Sequence, residues 1–366
     1  MTDTKPNTLN AGTARVPADD VRRAHLVTGA GVTALMLALT VTLVAAVILG
    51  IAVGTVTLPL GQIWDVVGHH LGLVSKVPDK LQNQIIWQYR TPRVVLAAVV
   101  GAGLSVAGAC LQVLARNGLA DPYVLGVSSG ASLGAVIVLS YGTGIVGGLG
   151  VSGAAVVAAM LTMLLVFTLA QRAGQIGPTR LVLAGVAVSY LATAATSFMQ
   201  LYLNPNELRG IMFWLLGSLA GASWDDLRAP TIAIVASMAW LVGRGRAMNA
   251  LTAGDDSAVA LGVDVHRLRI ELLVISSLLT GAAVSVAGGI GFVGLMVPHA
   301  ARFVVGPDHR KLLPVSMIGG AVFMVLVDLA SRIADRPNEL PVGIFTAALG
   351  APFFLILLRR TGHGAA

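Results

Sequence analysis

Long apolar segments without charge constrain this chain more than any other feature of its sequence. The clearest is 94–115, which runs for 22 residues between Arg93 and Arg116. A helix that crosses a bilayer needs about 20 such residues. Hydrophobic residues make up 56% of the 366 residues and charged residues only 11%, whereas a soluble domain needs far more charge on its surface. Most of the chain must therefore lie in lipid or against other helices.

Further uncharged runs divide the rest of the chain into candidate spans. The run 122–171 is long enough for two helices, because a glycine-rich break at 142–150 interrupts it. The alternation of polar and apolar residues that a transmembrane β-barrel requires is missing. We therefore predict an all-α integral membrane protein with about ten transmembrane helices. The uncharged runs are 26–64, 94–115, 122–171, 181–206, 229–243, 272–301, 312–327 and 340–358.

A short glycine- and alanine-rich motif occurs twice in these spans. Residues 101–108 read GAGLSVAG, and residues 281–288 read GAAVSVAG. The recurrence indicates a duplicated helical unit, with a first repeat at about 90–220 and a second at about 268–360. The alternative is a chance resemblance between two helices of similar composition.

The distribution of basic residues predicts how the chain is oriented. With ten spans and both termini in the cytoplasm, 16 of the 24 Lys and Arg residues face inward and eight face outward. This excess agrees with the positive-inside rule. On this topology the two copies of the motif run in opposite directions, so the halves are inverted repeats, an arrangement typical of transporters.

Several other classes of site are not indicated. We interpret residues 1–25 as a disordered cytoplasmic tail and residues 26–366 as the polytopic membrane domain. The single Cys110 lies within a span, so disulfides have no part in the fold. The histidines lack the spacing of a metal site. We find no ATP-binding P-loop, no catalytic constellation and no basic surface suited to nucleic acid.

The loop 244–267 is longer than an ordinary helix connection, and long ordered loops are usually functional. It carries a short apolar element flanked by charged residues. Ser257 can cap a helix there, and Gly262 can end it. A short amphipathic helix of this kind suits a groove on a partner protein. The alternative is a solvated loop.

Several blocks of the chain together resemble the FecCD-type permeases of ABC importers, which take up iron–siderophore complexes, haem and vitamin B12. The blocks are RTPR, NGLADP, VLGVSSGASLGA, GFVGLMVPHAARFVVGPDHRKLLP and ELPVGIFTAALGAPFFLILL, in order between residues 30 and 360. The resemblance implies a multi-pass protein of the cell membrane with ten helices per subunit. It also implies a second permease subunit, identical or paralogous, an external substrate-binding protein and two ATP-binding subunits that hold ATP and Mg.

By the same resemblance, three outer arginines dock the binding protein: Arg90, Arg93 and Arg332. Guanidinium groups suit this role because they bind carboxylates in a bidentate geometry. Anchoring to lipid headgroups is the alternative. Asp328 lies four residues before Arg332 and could engage that arginine locally instead.

The resemblance also assigns a cytoplasmic gate and a coupling segment. The gate residues are Asn117 and Leu119 in the NGLADP turn, with Pro178 and Thr179 as a second, less similar segment. Asn-Gly and Asp-Pro sequences form turns whatever their function, which is the alternative for all four. The segment 257–266, which we call the coupling segment, contacts the ATP-binding subunit through Ser257, Ala260, Leu261, Gly262, Val263 and His266.

The implied translocation pathway includes Met212, Phe213 and Trp214. An interfacial helix with a tryptophan anchor is the alternative there. The sequence as a whole predicts the permease subunit of an ABC importer for an iron complex, with iron(III)–siderophore ahead of haem and cobalamin. A secondary transporter driven by ions is the rival class, and it would need an ionisable residue deep in a span.

Overall fold

The computed structural model describes residues 29–54, 56–172, 175–176 and 178–361, so the tail predicted for residues 1–25 lies outside the described residues. The described residues are mainly helical. The exception in regular structure is one two-residue hairpin, in which β1 (Gln171–Arg172) pairs antiparallel with β2 (Gln175–Ile176). The prediction of an all-α membrane fold is confirmed at this level.

The first part of the chain contains the elements up to the hairpin and the helix after it. A π-helical segment, Gln84–Arg90, joins the helix Lys80–Asn83 to the helix Thr91–Leu114 without interruption, so that one continuous helix runs from residue 80 to residue 114. A 3-10 turn, Thr143–Val146, follows the helix Val127–Tyr141. The helices are α1 (Gly29–Ala52), α2 (Leu60–His70), α3 (Lys80–Asn83), α4 (Thr91–Leu114), α5 (Val127–Tyr141), α6 (Val151–Ala170) and α7 (Pro178–Gln200).

The second part begins with a short helix and ends with a long one. Its helices are α8 (Pro205–Leu215), α9 (Trp224–Gly243), α10 (Gly245–Thr252), α11 (Asp255–Ala260), α12 (Val265–Ala287), α13 (Val293–Val305), α14 (His309–Ile333) and α15 (Val342–Thr361). Among the described residues, six helical stretches are long and apolar enough to cross a membrane. Four shorter apolar helices accompany them, namely α5, α13 and the apolar parts of α9 and α15.

Helix α4 forms the centre of the bundle. Its apolar residues are almost all buried, and it packs against α9, α12, α13 and α14. Glycines allow these close approaches: a Cβ atom added at Gly101 would overlap the carbonyl of Gly320 on α14, and one at Gly108 would overlap Gly294 on α13. The small-residue motif of α4 thus brings helix backbones together, which is how membrane helices associate without a hydrophobic driving force.

The two copies of the motif lie in neighbouring helices of this core. Residues 101–108 lie within α4, whereas residues 281–288 lie at the C-terminal end of α12, where Gly288 has a φ of +68° just beyond the helix. Each of these helices is followed by a short helix and two long ones. Each short helix also begins after a residue with positive φ, Gly126 before α5 and Phe292 before α13. The order of elements therefore repeats, although the motif lies in the middle of α4 and at the C-terminal end of α12.

Candidate functional site

The outer arginines lie inside the bundle. Arg90 donates from Nη1 to the carbonyls of Ile51 (2.8 Å) and Ala52 (3.0 Å), and Arg332 donates from Nη1 to the carbonyl of Gly50 (2.8 Å). These carbonyls belong to the last turn of α1, where no N–H group of the same helix is available to donate to them. They also carry the negative end of the helix dipole. Two guanidinium groups from distant parts of the sequence therefore cap α1.

A buried carboxylate joins two of these arginines. Asp328 on α14 is fully buried and accepts from Arg93 Nε at 2.8 Å, and it lies 3.0 Å from Nη2 of Arg332. Arg93 also reaches Glu339, at 2.8 Å from Nη1. The local pairing of Asp328 with Arg332, which the sequence allowed, is confirmed. Each of the three arginines is buried and bonded within the chain, and their docking role stays a prediction.

The NGLADP block forms a compact turn after α4. We call residues 116–121 the gate turn. Asn117 Oδ1 accepts from the backbone N–H of Leu119 at 2.9 Å, and the Asn117 N–H donates to the carbonyl of Gln112 at 3.1 Å. These bonds present the Leu119 side chain, which is 49% exposed. The hydrogen bonds of the turn therefore leave the apolar Leu119 side chain exposed, where it can contact another subunit.

Helix α13 is hydrogen-bonded to the end of α4, next to the gate turn. Arg302 donates to Gln112 Oε1 at 2.9 Å, and Gln112 donates to the carbonyl of Gly294 at 3.3 Å. Next to this network, the His299 ring lies edge-on to the Phe303 ring, with 4.9 Å between the ring centroids. His299 therefore packs against an aromatic ring, and its buried Nδ1 atom has no hydrogen-bond partner among the described residues.

The second gate segment is only partly described. Helix α7 begins at Pro178, and Thr179 in its first turn is exposed. Gly177 and the side chain of Pro178 lie outside the described residues. The gate assignment of Pro178 and Thr179 therefore stays a prediction.

The coupling segment contains most of a short helix and the turn after it. Helix α11 begins at Asp255 after Gly254, so Ser257 is not the cap, which corrects that expectation. Gly262 ends the element with a φ of +77°, a conformation that favours glycine, and the Val263 N–H donates to the carbonyl of Ala258 at 2.9 Å. The element is therefore a closed, well-defined unit rather than an open loop.

Its apolar side chains point away from the bundle. Ala258 is completely buried and anchors the helix, whereas Val259 is 63% exposed and Leu261 is 71% exposed. The remaining predicted contact residues are also exposed, except for the half-buried Val263: Ser257, Ala260, Gly262 and His266. This arrangement leaves a small apolar surface uncovered within a charged loop, which a partner protein can bury.

Helix α8 divides the predicted pathway residues between two environments. Met212 and Phe213 are exposed, whereas Trp214 is partly buried against the hydrophobic core. Asn204 and Glu207 form a capping box at the start of the helix. Met212 and Phe213 therefore present more surface that a passing molecule could meet than Trp214 does, and the pathway role of all three stays a prediction.

Three non-helical segments meet beyond the end of α8: the residues after α8, the residues after α12 and the residues before α15. The sequence-based prediction did not identify this contact. The Ser218 N–H donates to the carbonyl of Ala287 at 2.9 Å, and the Val342 N–H donates to the carbonyl of Gly217 at 3.0 Å. Gly217 itself has a φ of +80°. The available signal was the glycine cluster at 288–291, which interrupts an otherwise apolar run.

A cavity of about 390 Å³ lies at this meeting point. Its lining is mainly apolar, with three polar side chains, Asp121, Tyr123 and Thr346. Burial raises the pKa of the Asp121 carboxyl to about 6, although its bond from the Tyr123 N–H opposes this shift. Within the described chain, no group of three or more His, Cys, Asp or Glu residues could hold a metal ion. The cavity could therefore contact a molecule mainly through apolar side chains and through hydrogen bonds from a few polar groups.

The sequence matches the FecCD transport family over residues 42–360. This chain belongs to the FecCD transport family. It is 47% identical to the cobalamin import system permease protein BtuC of Halobacterium salinarum, over 77% of this chain and 75% of that protein. It is 39% identical to the achromobactin transport system permease protein CbrC of Dickeya dadantii, over 87% and 91% of the two chains.

A solved structure agrees with this membership. The chain matches a metal-chelate type ABC transporter in an inward-facing conformation with a TM-score of 0.78 and 31% identity, covering 90% of this chain and 99% of that one. This FecCD chain is therefore an ABC importer permease of the cell membrane, in a family of membrane permease subunits.

Proposed function

We propose that this permease forms a route by which a bulky metal chelate enters the cytoplasm, driven by ATP that two partner subunits hydrolyse with Mg. The observation that carries this proposal is the exposed apolar surface of Val259 and Leu261 in a loop of a FecCD permease. An ATP-binding subunit that covers this surface can transmit its motion to the bundle.

The orientation we propose has ten spans, inverted repeats and both termini in the cytoplasm. The excess of basic residues on one side supports it. The repeated order of one long, one short and two long helices, beginning at α4 and at α12, supports a duplication. A second permease, identical or paralogous, completes the pathway, to which Met212 and Phe213 contribute.

The two ends of the pathway have different roles. At the cytoplasmic end, Asn117 and Leu119 form the gate, together with Pro178 and Thr179. At the outer end, an external binding protein docks over Arg90, Arg93 and Arg332. Glu339 has a 37% exposed side chain and already occupies Arg93, so an incoming carboxylate would share or replace that contact.

Three candidate substrates can be ordered by their support. The names and identities of the relatives favour cobalamin, since the BtuC relative is 47% identical and the achromobactin relative 39% identical. Iron(III)–siderophore, which the family resemblance placed first, becomes the second candidate, ahead of haem. The cavity near Tyr123 supports neither choice, because its mainly apolar lining suits transient passage and leaves selectivity to the binding protein.

The rival class, an ion-driven secondary transporter, is less well supported. Such a transporter needs an ionisable side chain that can change its protonation or bind an ion within the membrane. Among the described residues, the buried carboxylates are Asp121 and Asp328. Asp328 is already engaged by Arg93 and Arg332, and Asp121 lies in the turn after α4, where it accepts from the Tyr123 N–H. We therefore assign structural roles to both.

Uptake by cells tests the substrate. A strain that lacks this gene and its paralogues is supplied with labelled cobalamin, iron(III)–siderophore and haem, with and without the gene on a plasmid. Cobalamin uptake that depends on the gene supports the first candidate. Restoration of only siderophore or haem uptake would reverse the order, and restoration of none would contradict the proposed cargo class.

A further inference from the structure

One carboxylate connects the loop that holds the coupling segment to the gate turn. Asp255, the first residue of α11, is ion-paired through Oδ1 with Nη2 of Arg116. The same Oδ1 accepts from Nη2 of Arg269 at 2.9 Å, and Oδ2 lies 3.0 Å from that nitrogen. Asp255 therefore touches both the first residue of the gate turn and the central helix α12.

The two arginines differ in how firmly they are held. The Arg269 side chain is only 8% exposed and is fixed within the bundle, whereas the Arg116 side chain is 32% exposed. Arg116 also has a φ of 44°, a left-handed conformation that is uncommon for a residue with a side chain. Such a backbone conformation persists only when its surroundings hold it. Its pairing with Asp255 is one such restraint.

We infer that Asp255 is the positioning residue through which movement of α11 reaches the cytoplasmic gate. This inference rests on the proposed function, in which an ATP-binding subunit covers Val259 and Leu261. Helix α11 has only six residues, so a force on its exposed face moves its first residue as well. Because Asp255 Oδ1 serves both arginines, a displaced α11 either pulls Arg116 with it or loses the pair that restrains the gate turn.

A purely stabilising role explains this arrangement less well. Pairs between partly exposed side chains contribute little to stability. The pair with Arg116 joins a six-residue helix to a strained turn 139 positions away in the sequence. The adjacent Asp256 provides the matched comparison, since it lies in the same turn of α11 and is exposed, and no ion pair is found for it among the described residues.

The test measures the gate in the complete assembly with its ATP-binding subunits. Leu119→Cys reports the gate by cross-linking between the two permeases, in a Cys110→Ala background. Asp255→Asn and Asp256→Asn are compared with the parent, each with and without nucleotide. Co-purification of the ATP-binding subunits is measured for every variant, so that loss of the partner is distinguished from loss of transmission.

We expect Asp255→Asn to retain its ATP-binding subunits while the effect of nucleotide on cross-linking falls about tenfold, within the range for coupling between two sites. Asp256→Asn should respond like the parent. Arg116→Gln should match Asp255→Asn in its nucleotide response, and the double variant should respond no less than either, because the Asp255–Arg116 pair is the interaction that both variants remove. Asp255→Asn also weakens the pair with Arg269, which Arg116→Gln leaves in place.

Three results would overturn the inference: a parental nucleotide response in Asp255→Asn, an equal loss in Asp256→Asn, or loss of the ATP-binding subunits from Asp255→Asn alone. A parent assembly that fails to bind ATP-binding subunits, or whose Leu119→Cys never cross-links, would instead contradict the proposed function itself, and this inference with it.

Discussion

Arg93 and Asp328, 235 positions apart in the sequence, form a buried ion pair in which Arg93 Nε lies 2.8 Å from Asp328 Oδ1. The pair joins α4, at the centre of the bundle, to α14. Asp328 also engages Arg332, whose guanidinium caps α1. Three helices are therefore joined at one point, and removal of the Asp328 carboxylate would leave the buried Arg332 guanidinium without its anion and Arg93 with Glu339 alone.

Asp328→Asn should therefore destabilise the protein strongly. Breaking a buried pair by removing one partner costs about 3–5 kcal/mol, because the remaining charge is left uncompensated. Glu339→Gln is the matched control: it removes the other carboxylate on Arg93, but that side chain is 37% exposed and should cost no more than about 1 kcal/mol. Thermal unfolding in detergent measures both. Equal melting temperatures for the two variants would contradict the structural role of Asp328.

Docking at the outer arginines is best tested without changing the permease. Charge reversal at Arg93 would set a third carboxylate beside Asp328 and Glu339, so a folding defect would obscure any docking defect. Lys substitutions at the facing Glu residues of the binding protein should instead weaken association with the unaltered permease, since like charges across an interface cost several kcal/mol.

The association rate should also fall as salt rises, because the screening length is about 8 Å at physiological ionic strength. Surface binding kinetics with the permease in nanodiscs measures both effects. Association that is insensitive to salt and to these reversals would reject the docking role of Arg90, Arg93 and Arg332.

Leu261→Asp should disconnect the permease from its ATP-binding subunits. The leucine is 71% exposed in the free chain, so the change costs little in folding. In the assembly it would put a carboxylate without a partner into an apolar contact, at a cost of several kcal/mol. Co-purification measures the loss. Gly262→Arg is a poorer test, because a φ of +77° makes any side chain there strained.

A suitable control for this variant is Ala253→Asp, which adds a carboxylate at an exposed position in the same loop but outside the coupling segment. If the apolar surface decides binding, it should lose less of the partner than Leu261→Asp. Full recovery of the ATP-binding subunits with Leu261→Asp would contradict the coupling assignment.

The gate prediction concerns Leu119 and its counterpart on the second permease. Cysteines at this position should cross-link across the interface, with a yield that changes when nucleotide binds. Asn117→Cys is less informative, because Asn117 Oδ1 holds the Leu119 N–H and its loss would disturb the turn. Cross-linking of Leu119→Cys is followed on gels after Cys110 is replaced. Absence of cross-links in every nucleotide state would favour a plain turn.

Local features of the sequence predicted most of the helices, but they did not predict contacts between residues far apart in the sequence. The glycine-rich break at 142–150 separates α5 from α6 because Gly142 and Gly147 adopt positive φ, a conformation that does not continue an α-helix. The N-cap of α11 was misplaced by three residues, because Gly254, at a φ of +120°, precedes the helix in place of Ser257. The burial of Arg90 depends on carbonyls of α1 about 40 residues away, and no local pattern reveals such a contact.

ATP-dependent uptake into proteoliposomes tests the whole proposal. The permease is reconstituted with its ATP-binding subunits, and its binding protein is supplied outside with labelled cobalamin or iron(III)–siderophore. We predict accumulation that requires enclosed ATP and Mg, is lost with Leu261→Asp and is unaffected when proton and sodium gradients are collapsed. Accumulation that needs such a gradient and proceeds without ATP would show that this chain is a secondary transporter instead.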